Sequence, residues 1–106
     1  MVQEVGSRIT LELVQQRVAG YFQLEMTQLR SVRRHRSVLY PRQIAMFLCR
    51  KLTDASLPEI GQVFGGRDHT TVMHAVEKIE RECTQDTHKK QLLDHLQQMI
   101  LSAPST

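Results

Sequence analysis

The stretch SLPEIGQVFGGRDHTTVMHAVEKIE, residues 56–80, decides the fold. Ser56 followed three residues later by Glu59 is a capping box, in which the serine caps a first turn and the glutamate bonds back. Ile60, Val63 and Phe64 then supply the inner face of a short helix, about Leu57–Phe64, which Gly65-Gly66 ends. Asp68 can cap the next helix, from about His69 to Cys83, where Val72, Ala75, Val76 and Ile79 fit i, i+3, i+4, i+7. Opposite that stripe lie Thr70, His74 and Glu77, with Arg67 just before the start and Arg81 near the end. Two short helices joined by a glycine turn have the layout of a helix-turn-helix. In such a unit the N-terminal residues of the second helix read base edges in a major groove. Here they are Arg67, Asp68, His69, Thr70 and Thr71: short donors and acceptors, with threonine methyls suited to the thymine methyl. A plain αα-hairpin with capped, solvated ends is the alternative that this stretch alone leaves open.

Outward from this unit the pattern stays helical. Pro41 suits the first turn of a helix whose stripe is Ile44, Ala45, Leu48 and Leu52. Upstream, Leu11, Val14, Val18, Tyr21 and Phe22 recur at helix spacing, with Thr10 as cap and Gly20 a weak point near the end. A short turn of helix fits Met26–Leu29, and the basic stretch RSVRRHRSV at 30–38, without an apolar period, reads as a loop. Downstream, a last helix from about Asp86 carries Leu92, Leu93, Leu96, Met99 and Ile100 on one side. Alternation at period two is nowhere sustained, so the expected class is all-α: a multi-helix domain containing a helix-turn-helix with a preceding basic loop.

One hundred and six residues make a single domain, with its ordered part expected at about 9–101 and its ends frayed. The apolar runs are too short for a membrane span, and the N-terminus lacks the layout of a secretory signal. Cys49 and Cys83, far apart and outside any CxxC, indicate a reducing compartment, hence a cytoplasmic protein. Charge is the informative quantity. The chain carries +3 net, yet Met26–Thr53 has no acid and seven bases: Arg30, Arg33, Arg34, Arg36, Arg42, Arg50 and Lys51. That polarity suits a nucleic-acid or anionic-membrane surface, or else a solvated arginine-rich loop. His69 and His74 are off zinc-helix spacing, no nucleophile constellation is legible, and no GxxxxGK[ST] occurs. No metal, cofactor, small-molecule substrate or enzymatic activity is therefore expected.

Residues 56–80, together with YPRQIAMFLCRKLT at 40–53, resemble the C-terminal DNA-binding domain family of the bacterial replication initiator DnaA, with GGRDHTTV followed by Met-His-Ala close to its signature. The resemblance runs from about Ile9 to Ile100. It implies binding of duplex DNA at a nine-base-pair box of the form TTATNCACA. It places Asp68, His69, Thr70 and Thr71 at the major groove, His69 and Thr70 foremost, and Arg34 in the adjacent minor groove. Arg42, Gln43 and Arg50 would hold phosphates, and the chain around Leu57 and Pro58 those of the opposite strand. Val32 and Tyr40 stand where many relatives carry lysine and arginine, weakening the phosphate term. The ATPase module that accompanies this domain in the full initiator has no counterpart here, so the expectation is a monomeric DNA-binding unit without membrane affinity. A stand-alone regulator of transcription or initiation that reads another site, and a helical module whose basic loop docks an acidic protein, are the competing readings.

Overall fold

The structure is a computed structural model that describes residues 9–31 and 36–102, the Arg36 side chain excepted. Helix α1 spans Leu11–Tyr21, opened by Thr10, whose hydroxyl accepts from the Leu13 amide at 3.0 Å. Its inner face buries Val14 and Val18, as the spacing predicts, and Ala19 with them; Leu11 and Phe22 are half-buried, while Tyr21, expected on the same face, is 42% exposed because it lies at the edge of the packed stripe. Gln23, in the left-handed region at φ 58°, turns the chain into α2, Met26–Leu29.

Helix α3, Arg36–Leu52, departs from expectation. Pro41 lies in its interior rather than in its first turn, and the helix reaches back into the basic stretch read as a loop. A proline there removes one backbone bond and costs about 3 kcal/mol in a free helix. Against this, Val38 is buried, and burial of one such side chain contributes roughly 1.5–3 kcal/mol. Tertiary packing extends the helix upstream of the residue that local propensity would put at its start.

The helix-turn-helix is α4, Leu57–Val63, and α5, His69–Gln85. The capping box at α4 is formed: Ser56 N donates to Glu59 Oε1 at 2.7 Å, and Glu59 N to Ser56 Oγ at 3.2 Å. Gly65 and Gly66 stand at φ +83° and +77°, a reversal that a side chain would strain. Asp86 alone separates α5 from α6, Thr87–Leu101. Its amide closes α5 on Glu82 O, and its carboxylate accepts from the amides of His88 and Lys89, opening α6.

Helix α3 runs through the middle, packed on α1, α2, α4 and α5, while α6 closes the bundle against α1 and α5. The core joins Val14 and Val18 to Ile44 and Leu48, Ile60 and Phe64, Val72 and Ile79, and Leu96 and Ile100. Among the described residues no strand occurs, and no helix is long and apolar enough to cross a membrane.

Candidate nucleic-acid interface

The N-terminal turn of α5 stands clear of the core. Asp68, in extended backbone, is the N-cap residue, with 65% of its side chain exposed, and the His69 side chain is 56% exposed. Their Oδ1 and Nδ1 lie 2.9 Å apart. The Asp68 carboxyl does not make a full capping bond, yet the amide and then the hydroxyl of Thr70, with the His69 ring, hold its pKa below the usual carboxylate value. Thr70 is half-buried and Thr71 exposed. An imidazole and the exposed Thr71, with the half-buried Thr70 beside them, therefore stand together at the start of the helix, whose first amides are engaged with Asp68.

Close backbone approaches aim this turn. Arg67 N donates to Gly61 O at 2.9 Å, and a Cβ on Gly61 would sit 2.1 Å from Arg67 O. A Cβ on Gly65 would sit 2.5 Å from Arg30 O. The turn is thus pressed against α4 on one side and against the end of α2 on the other.

Between α3 and α5 runs a groove of about 380 Å³ bordered by Gln43, Thr71, His74, Lys78 and Arg81, with Arg42 and Arg67 also lining it. Lys78 Nζ donates to Gln43 Oε1 at 2.9 Å, linking the two helices across the groove. Arg42 is only 2% exposed: its Nε donates to Leu29 O at 2.9 Å and its Nη2 to Ser31 Oγ at 3.3 Å. Burial, and then the charge of Arg67, bring its pKa down to about 10. Where a phosphate-holding arginine was expected, the side chain at 42 is engaged with backbone, and its charge lies under the groove.

Arg50 is exposed and reaches forward, Nη1 donating to Ala55 O at 3.0 Å. This brings its guanidinium to the start of α4, beside the turn where Leu57 and the exposed Pro58 begin the helix. The sequence-derived residues accordingly fall into three neighbouring sets: Asp68–Thr71 at the tip, Gln43, Arg42, Arg67 and Thr71 along the groove, and Arg50 with Leu57 and Pro58. Arg34, the expected minor-groove residue, lies outside the described residues, as does Val32.

Lys78 and His74 were not singled out as site residues, nor was Arg81. The signal was available: Thr71, His74, Lys78 and Arg81 recur at i, i+3, i+7 and i+10, one polar stripe of α5. Gln15, wholly buried on α1 and bonded to Val63 O and Arg30, was also missed. Cys49 is buried, which pushes its thiol up to about 12, and Cys83 is half-buried on the other side of α5. Among the described residues no three His, Cys, Asp or Glu groups are placed to hold a metal ion.

The family model described as bacterial dnaA protein helix-turn-helix matches residues 11–79, which take in α1 through most of α5, the tip included and the groove except Arg81. The chromosomal replication initiator protein DnaA of Lactobacillus delbrueckii subsp. bulgaricus is similar, 51% identical over 92 residues. That match covers 87% of this chain and 20% of the relative, so the chain spans about a fifth of that protein's length. A crystal structure of a DNA replication initiation factor superposes with a TM-score of 0.79 at 34% identity, over 93% of this chain and 30% of that one.

Proposed function

The chain belongs to the bacterial DnaA helix-turn-helix family, and on that footing we propose that it binds double-stranded DNA sequence-specifically, at boxes of the form TTATNCACA, in the initiation of chromosomal replication. The observation that carries this reading is the outward N-terminal turn of α5, Asp68–Thr71, set at the end of a groove lined by arginine and lysine.

In this reading the tip of α5 enters the major groove. His69 and Thr70 hydrogen-bond base edges, the threonine methyls touch thymine, and Asp68 orients both donors from its cap position. Phosphates of one strand follow the α5 stripe and its partner helix: Gln43, Thr71 and Lys78 touch them, Arg67 with them, while Arg42 contributes its charge from beneath. Arg50 and the backbone around Leu57 and Pro58 take the other strand, and Arg34 enters the minor groove. The chain acts as a monomer on cytoplasmic DNA, and the activity is binding alone, with no bond made or broken.

The test is fluorescence anisotropy with a duplex carrying TTATCCACA and a scrambled duplex, across a salt series. A preference for the box that persists as salt rises is the expected result; equal binding that salt abolishes would refute base reading. His69→Ala is expected to lose about 1–3 kcal/mol on the box and far less on the scramble. Equal losses on the two duplexes would remove His69 from the base-reading set.

A further inference from the structure

The buried Gln15 belongs to none of the surfaces above, yet it ties them together. It is 0% exposed on the inner face of α1, between Val14 and Val18, where a leucine or methionine would fill the same space. A polar side chain so placed has to be satisfied internally, and both its ends are. Its Nε2 donates to Val63 O at 2.7 Å, a carbonyl at the end of α4 that the helix itself leaves without a partner. Its Oε1 accepts from Arg30 Nη2 at 2.8 Å and Nε at 3.3 Å. One side chain thus joins the last turn of α4 to the residue that ends α2.

The same segment is gripped from two more sides. Arg42 Nε donates to Leu29 O, and Arg67 Nη2 donates to Ser31 O. The Arg30 carbonyl lies against Gly65, close enough that a Cβ there could not be accommodated. Residues 28–31, the glycine turn and Arg67 at the start of the recognition turn therefore form one tightly held block, which the basic segment follows in sequence.

We propose that Gln15 is a positioning residue for DNA reading: through Arg30 and Val63 it fixes the spacing between the α5 tip and the root of the basic segment, so that both can engage one box at once. This rests on the DNA-binding reading above. Two contacts held at a fixed spacing reinforce each other through effective concentration, a gain that vanishes when the spacing is released. A random duplex offers phosphates at any spacing and does not depend on that gain.

Gln15→Met keeps the volume and deletes both bonds. Measured on the box and the scramble, it is expected to weaken box binding about tenfold, leave scramble binding within about twofold, and leave the salt slope unchanged, since no phosphate contact is lost. A purely structural role would instead lower both affinities together, in step with the unfolded fraction seen by circular dichroism. An unchanged box-to-scramble ratio in a folded Gln15→Met overturns the proposal. If that variant does not fold, the decision passes to Arg30→Met, at an exposed position, for which the same loss of ratio is expected. Arg30→Met with a salt slope lower by about 0.9 and both duplexes equally weakened would make Arg30 a phosphate ligand and overturn the proposal. Absence of box preference in the wild type overturns this inference and the DNA-reading proposal together, and it is seen before any variant is made.

Discussion

Gly61→Ala is the sharpest test of how the recognition turn is held. On an exposed helix this exchange stabilises, by about 1 kcal/mol, because glycine is the poorer helix former. Here the new Cβ would lie 2.1 Å from the Arg67 carbonyl oxygen and 3.1 Å from its carbon, against an ordinary contact of 3.4 Å or more. The obstacle is backbone, so no rotamer change relieves it. The turn must retreat by over an ångström, giving up the 2.9 Å bond from Arg67 N to Gly61 O. Loss of that bond costs about 0.5–1.5 kcal/mol. The overpacking costs typically about 1–3 kcal/mol. Less the helix-propensity gain, the net is a destabilisation of about 1–3 kcal/mol, or a fall of roughly 5–20 °C in Tm for a domain of this size. Gly20→Ala is the control: it is helical with nothing within 4 Å of its Cβ, and a gain of up to about 1 kcal/mol is expected. Urea and thermal unfolding of the two variants decide the matter. A Gly61→Ala protein as stable as the wild type would refute the claim that this contact sets the turn.

Other consequences are open to direct measurement. Ser56→Ala should cost about 0.5–2 kcal/mol in urea unfolding by removing the N-cap of α4. Its partner Glu59 has a folded pKa lowered by the Ser56 amide and then its hydroxyl. Its stabilisation is therefore complete above the ordinary value of 4.5 and is lost as pH falls through the lower folded value. The stability gap between Glu59→Gln and wild type should accordingly close on acidification; a gap constant from pH 7 to pH 2 would exclude the bond. Lys78→Ala and Arg50→Ala should each reduce the salt slope of DNA binding by about 0.9 on box and scramble alike, and an unaltered slope removes either residue from the phosphate set. Burial raises both thiols, that of Cys49 to about 12, but Cys83 is only half-buried, so Cys49 should be labelled by iodoacetamide at pH 8 far more slowly than Cys83, as read by mass spectrometry; equal labelling of both contradicts the packing around α3.

What the sequence discloses and what it conceals divide by distance along the chain. The Thr10 cap, the Ser56–Glu59 box and the stripes of α5 and α6 rest on residues three or four apart and the glycine reversal on two adjacent ones, and the structure has them at those positions. Pro41 misleads because its local preference for a first turn is weaker than the burial of Val38 upstream. The concealed features are bonds across the fold. Gln15 meets a carbonyl 48 residues away, Lys78 meets Gln43 across 35, and Arg67 meets Ser31 across 36. No periodicity announces such partners. Arg42 shows the same limit from the other direction: in sequence it is one more base in an acid-free block, and only the packing of α2 on α3 turns it inward.

Asp86 is the whole connection between a helix of 17 residues and one of 15. A joint of one residue leaves no slack in which an extra amino acid could be absorbed. Each residue added to a helix advances it by about 1.5 Å and turns it by about 100°. An insertion at 86 would rotate Leu93, Leu96 and Ile100 out of the core or drag the recognition helix round with them. Length at this point is therefore fixed as firmly as any side chain, and variation in chain length has to be taken up where α1 and α3 end in longer turns.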